Sequence, residues 1–183
     1  MSIAAIISSP RAGGNSDTLA MAAAEGAREN GGSVKVFHLN RMKNVKGCQA
    51  CMVCKTAGRC VLKDDLTEVL DTIRDGEGAI ISTPLYFGEA CGQFRLLQDR
   101  FFSFIGEGFK PNIAGGKKLA TIVTCGSGKD SGAALADKLE GVMAHLLGFS
   151  PVGKMVFSGG DSPSAAAGDR DAVAAAKSLG EKF

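Results

Sequence analysis

The chain has 183 residues, 45% of them hydrophobic and 22% charged, long enough to bury a core of its own and ordinary for a soluble globular protein. Its formal net charge of +2 gives no basis for binding nucleic acid or an anionic membrane surface. No apolar run approaches the roughly 20 residues of a membrane-spanning helix, and the opening "IAAII" is too short and wrongly flanked for a signal peptide, so the sequence reads as a cytoplasmic protein.

Short apolar runs alternate with stretches of helical period. In chain order they predict a strand at 3–8, a helix at about 16–30, a strand at 34–39, a cysteine-rich loop at about 46–63 and a helix at about 65–75. A strand at 78–83, a helix at about 90–105 and a strand at 119–124 follow. A helix at about 131–147, a strand at 152–157 and a helix at about 169–181 complete the series. Three of the five strand candidates are apolar nearly throughout, as strands covered on both faces are. The alternation predicts one α/β domain over 1–183: a doubly wound, five-stranded parallel sheet of flavodoxin-like order 2-1-3-4-5. Such a sheet binds ligands at the carboxyl ends of its strands.

The loop after the first strand, "SSPRAGGNSD", sets Ser8, Ser9, Arg11, two glycines and Asn15 ahead of a helix that Ser16 can cap, with Asp17 and Thr18 in its first turn. Free N–H groups, hydroxyls and a positive helix end suit one anion, most simply a phosphate; a capped turn without a ligand is the alternative. The loop is neither G-x-G-x-x-G nor G-x-x-x-x-G-K-[ST], so the dinucleotide and P-loop NTPase readings lose support.

After the third strand, "TPLYFGEACGQFRLLQDRF" has Pro84 ending the strand, then Leu85, Tyr86 and Phe87 as an apolar ledge and Gly88 as a turn. The ledge suits a flat, partly polar ring; alternatively Leu85 and Phe87 are core residues and Tyr86 an ordinary surface tyrosine. Arg95 and Asp99, four apart, predict a surface ion pair, and Phe94, Leu97, Phe101 and Phe104 form a stripe that is either core or an interface. After the fourth strand, "TCGSGKDSG" is a glycine-rich turn, able to approach the other side of the same ring or simply to connect two elements. Two histidines, His38 and His145, leave little for a histidine-based triad or metal site.

Taken together, "SPRxGGNSxTL", "CxxCxxCxxxxxC" leading into "DDL", and "TPLYFG" followed by "GQFRxxxDR" resemble the NADPH-dependent FMN reductase family, and within it the iron–sulfur flavoprotein branch. The resemblance covers roughly residues 3–125. It implies an FMN-binding flavodoxin-like fold in which Ser9, Arg11, Asn15 and Ser16 hold the phosphate. Pro84, Leu85, Tyr86, Phe87 and Gly88 would line the isoalloxazine, with Thr124, Cys125 and Gly126 approaching it. Ser8, where the family usually has glycine, and Arg95, where lysine is common, depart from the pattern. Flavin chemistry needs a phosphate cradle and an apolar ledge rather than a side-chain nucleophile or base, which agrees with the scarcity of histidine.

Cys48, Cys51, Cys54 and Cys60 are spaced C-x2-C-x2-C-x5-C, the compact spacing of the iron–sulfur branch. Four thiolates on one loop are the usual ligand set of a 4Fe–4S cluster, and Lys46, Lys55, Arg59 and Lys63 would offset its charge. A tetrahedral zinc site, a thiol–disulfide switch and a clusterless loop are the alternatives. Cys91 and Cys125 read as small core or loop residues rather than metal ligands.

The expected function is therefore an FMN-binding oxidoreductase. With the cluster it exchanges single electrons with a ferredoxin-like donor; without it, NAD(P)H is the co-substrate and free flavin, a quinone or another small molecule the acceptor. A non-catalytic redox- or metal-sensing module and a passive one-electron shuttle are the alternatives. Self-association into a homo-oligomer is implied by the resemblance.

Overall fold

The computed structural model describes residues 1–126, 128–159 and 162–183. Six strands, β1 (Ser2–Ile7), β2 (Ser33–His38), β3 (Gly78–Tyr86), β4 (Glu89–Ala90), β5 (Lys118–Cys125) and β6 (Ser150–Ser158), form a sheet of order 2-1-3-5-6, with β4 paired to the end of β3. The five long strands are parallel and in the expected flavodoxin-like order; the antiparallel two-residue β4 was not anticipated. The helices are α1 (Asn15–Glu29), α2 (Cys54–Ala57), α3 (Leu66–Asp75), α4 (Gly92–Arg100), α5 (Lys129–Leu147), α6 (Ala165–Gly168) and α7 (Arg170–Gly180).

Neighbouring residues of a strand point to opposite faces, and here both are apolar. Ile6, Ile81 and Val123 face a core built with Leu66, Val69 and Ile73 of α3, Phe94 and Leu97 of α4, and Leu135, Leu139 and Met143 of α5. Ile3, Ile80 and Ile122 face the other core, with α1 and α7. The α1–α7 seam is made of small residues because the backbones nearly touch. A Cβ on Gly26 would lie 2.1 Å from the Lys177 carbonyl oxygen, and one on Gly180 would lie 1.9 Å from that of Ala23.

Three expectations are corrected. Pro84 does not end the third strand: β3 continues to Tyr86, with Pro84 opposite Thr124 of β5. The β1 ladder has already stopped at Ile7 opposite Ser82, so the missing proline N–H falls where β3 has no neighbour on that side. Arg95 does not pair with Asp99; its Nη1 donates to Gln98 Oε1 at 3.0 Å and lies 4.0 Å from Glu89 Oε2. The helix expected at 90–105 is α4 followed by a 3-10 turn, Phe101–Phe104, whose i,i+3 side chains eclipse and stack with ring centroids 5.4 Å apart. Phe94, Leu97, Phe101 and Phe104 are all buried, so this stripe is core and offers no interface.

Candidate functional site: a cleft at the strand ends and a cysteine pocket

The carboxyl ends of β1, β3 and β5 converge on a cleft of about 270 Å³. It is lined by Ser9, Arg11, Asn15 and Ser16 from the first loop, Pro84, Leu85 and Tyr86 from β3, and Thr124, Cys125 and Gly126 from the end of β5. Gly14, Ser162 and Pro163 complete the lining. Phe87 and Gly88 lie just outside it, as the two residues of the β3–β4 hairpin turn. Both have positive φ, +50° and +81°, the pattern of a type I′ turn, and Phe87 is fully exposed. Such a φ is easy for Gly88 and strained for Phe87.

Ser16 is not the helix cap expected of it. Gly14 occupies that position, and the buried Ser16 hydroxyl lies 2.7 Å from Thr124 Oγ1, tying α1 to β5. Asp17 shapes the loop instead: its Oδ2 accepts the Gly13 N–H at 2.7 Å, holding a residue at φ +67°. Its buried Oδ1 has no hydrogen-bond partner among the described residues, with His38 Nδ1 3.7 Å away. The Asn15 amide is engaged by protein, Nδ2 donating to Ser162 O at 3.0 Å and Oδ1 accepting from Ala166 N at 2.9 Å. Asn15 N also donates to Pro163 O at 2.9 Å. Among the described residues, the first-turn N–H groups of Ser16 and Asp17 and the Arg11 guanidinium meet no acceptor. That donor set fits a phosphate, and the ledge of Leu85 and Tyr86 fits an aromatic ring. Among the described residues, no carboxylate or imidazole lines the cleft.

Beneath the cleft floor, Ser8 is buried and donates from Oγ to Ser82 O at 2.8 Å, so the hydroxyl that replaces the usual glycine is satisfied. Cys91 is buried against it, its Sγ 3.2 Å from Ser8 O, and Cys125 is buried at the end of β5. A larger, shallow groove of about 1040 Å³ runs between the β2 edge and α3. Its charged lining, including Asp64, Asp65, Glu68 and Asp71, lies away from the converging strand ends.

The loop between β2 and α3 brings Cys48, Cys51, Cys54 and Cys60 around one small apolar pocket, with Arg100 and Phe102 on its far side. Ala50 and Met52 adopt positive φ, +51° and +62°, between the cysteines, and Ala50 N donates to Cys48 Sγ at 3.4 Å. The loop is firmly moored. Asp65 accepts the N–H groups of Lys43 and Asn44, and Asp64 accepts that of Lys46. Lys55 sits over the Phe102 ring and donates to the carbonyls of Phe102 and Ile105. Lys55 is thus spent on the loop's own anchoring, and Arg59 lies 4.0 Å from Asp71. Four cysteines lining one small pocket, Cys54 buried, Cys60 half-buried and Cys48 and Cys51 exposed, are the donor chemistry of an iron–sulfur cluster. A single tetrahedral ion needs sulfurs about 3.8 Å apart, from Zn–S bonds of ~2.3 Å. Among the described residues, no three cysteine, histidine or acidic side chains are grouped to hold one ion.

Residues 1–163 match the family model described as NADPH-dependent FMN reductase. The chain belongs to that family. An iron-sulfur flavoprotein of Archaeoglobus fulgidus is 28% identical over 162 residues, covering 87% of this chain and 69% of that protein. One of Methanosarcina thermophila is 28% identical over 160 residues, covering 87% and 81%. One of Methanocaldococcus jannaschii is 33% identical over 100 residues, covering 55% of this chain and 51% of that protein. Among solved structures, a flavone reductase superposes with TM-score 0.71 at 23% identity, over 99% of this chain and 61% of that one. An NAD(P)H:quinone oxidoreductase from Methanothermobacter marburgensis gives 0.70 at 17%, over 99% and 96%. At these identities the two structures establish the fold.

Two features of this FMN reductase family member escape a reading of the sequence. Ser162 and Pro163 reach the cleft from the segment after β6, and the only signal was the turn-like run "DSPS". Arg100 reaches the cysteine pocket from α4, although it stands in the "DR" that closes the motif. The glycine-rich turn after β5 includes Ser127, which lies outside the described residues.

Proposed function

We propose that this family member binds FMN in the cleft at the strand ends and uses it to pass electrons from a reduced donor to a small acceptor. The observation that carries the reading is the chemical content of the cleft: a cationic and N–H-rich end facing an apolar end. When bound, FMN supplies the electron-accepting and electron-donating ring. The chain's own residues do the rest. Arg11, the first-turn N–H groups of Ser16 and Asp17 and the Ser9 hydroxyl bind the phosphate. Pro84, Leu85 and Tyr86 orient the ring, Thr124, Cys125 and Gly126 hold its opposite edge, and exposed Phe87 flanks the open side where NAD(P)H or an acceptor stacks.

The cysteine pocket adds a second part to the proposal. Cys48, Cys51, Cys54 and Cys60 would hold a 4Fe–4S cluster, which would supply one-electron exchange with a ferredoxin-like donor. This reading is supported by the four thiols on one apolar pocket and by relatives named iron-sulfur flavoproteins. Protein purified without oxygen is assayed for FMN, iron and acid-labile sulfide, then for NAD(P)H oxidation with quinone and flavin acceptors. One FMN per chain with turnover supports the cleft reading; a colourless protein without NAD(P)H oxidation sinks it. About four iron and four sulfide per chain support the cluster, and FMN without iron leaves an NAD(P)H-dependent reductase with a clusterless loop.

A further inference from the structure

Arg100 is a fully buried arginine in the wall of the cysteine pocket. Its Nε donates to Cys60 Sγ at 3.1 Å, and its Nη1 donates to Asp64 Oδ2 and to Lys46 O, both at 2.8 Å. Its Nη2 is buried and has no hydrogen-bond partner among the described residues. Asp64 is itself fixed by the N–H groups of Lys46 and Leu66, so the guanidinium is held rigidly on one side and unsatisfied on the other. A buried N–H donor without an acceptor is costly, and the pocket wall it stands in is shared with four cysteines, one of which already accepts from Nε. Of the cations expected from the sequence to offset cluster charge, Lys55 is consumed by backbone carbonyls and Arg59 stays more than half exposed.

We infer that Arg100 is a positioning residue for the iron–sulfur centre: its Nε and Nη2 donate hydrogen bonds to cluster sulfur and raise the reduction potential. The inference rests on the cluster reading above. Hydrogen bonds to sulfur and local positive charge favour the more negative, reduced cluster, so losing them lowers the potential. The couple takes up one electron, supplied by dithionite in the assay, and no bond is made or broken. An arginine suits this place because its planar fork serves Asp64 and sulfur at once, which a lysine ammonium on a flexible stem does not.

The test is a redox titration followed by electron paramagnetic resonance, on wild type and Arg100→Lys, with iron and sulfide determined on the same samples. Arg100→Lys keeps a charge beside Asp64. It is expected to retain the cluster with a midpoint potential lower by the equivalent of about tenfold in the one-electron equilibrium, ~59 mV. Arg59→Gln, which removes an exposed charge beside Cys60, is expected to leave the potential unchanged. Full iron content with an unshifted potential in Arg100→Lys overturns the inference alone, as does an equal shift in Arg59→Gln. Wild type without iron overturns the cluster reading, and the inference with it. Should Arg100→Lys fail to fold, Arg59→Gln labelled with 15N-arginine decides: with no arginine left next to Cys60 in the chain, the reduced cluster shows hyperfine coupling to arginine nitrogen if the Arg100 hydrogen bond exists, and none if it does not.

Discussion

Ser16 Oγ and Thr124 Oγ1 lie 2.7 Å apart, joining the first turn of α1 to the end of β5 at the floor of the cleft. Both side chains are buried, so each is the other's answer to desolvation. Thr124→Val keeps the shape and deletes the partner, leaving the Ser16 hydroxyl unpaired at a cost of about 1–3 kcal/mol. Urea unfolding should show that loss, with Thr124→Ser recovering most of it. FMN binding, followed by flavin fluorescence, should weaken in the valine variant and recover in the serine variant.

Phe87 is strained and exposed at the first central position of a type I′ turn, where asparagine is the favoured residue. Phe87→Asn is expected to raise the melting temperature. Because the ring flanks the cleft, the same change should lower kcat/KM for aromatic acceptors while leaving FMN affinity unchanged. A variant both more stable and equally active on such acceptors would make the phenylalanine incidental.

Burial raises the Glu140 carboxyl above its ordinary 4.5, against the pull of Lys154, while the nearby Asp137 pushes it further up. Its buried Oε1 has no hydrogen-bond partner among the described residues. The folded state therefore holds this proton more tightly than the unfolded chain, and native stability falls as pH rises from 4.5 through the raised value. Glu140→Gln should match wild type below pH 4.5 and be the more stable protein above that window. Denaturation midpoints measured from pH 4 to 8 would reveal the divergence; parallel curves would refute it.

Gly180→Ala should be among the most damaging single-methyl changes. The added Cβ meets a backbone carbonyl, which cannot rotate away, so α7 must lift off α1. A loss of at least ~1–3 kcal/mol is expected by thermal unfolding, whereas Gly141→Ala, exposed inside α5 with open space at its Cβ, should stabilise by up to about 1 kcal/mol.

The parallel sheet was legible because strands covered on both faces must be apolar at consecutive positions, and Ile6, Ile7, Ile80 and Ile81 announce that directly. The first loop and the ledge were legible as walls of one cleft because proline, glycine and aromatic residues cluster where strands end. What each residue does there was less so. Ser16 looked like a cap because serine before a helical run usually is one, but a hydroxyl 108 positions away claims it. Pro84 looked like a strand end because its missing N–H usually matters, and only the sheet topology reveals that β1 has already stopped. The role of Arg100 depends on a fold that brings α4 to the cysteine loop, 40 positions away in the chain.

The ties between Asn15 and the segment 162–166 set a timetable for biosynthesis. The first loop and its helix are translated early, yet the groups that clamp them lie about 150 residues later. While those residues are still inside the ribosome, the nascent chain carries the cradle without its clasp. A cofactor bound there as proposed would consequently load late, and a polypeptide stalled before Ser162 would lack the Asn15 ties at the strand ends.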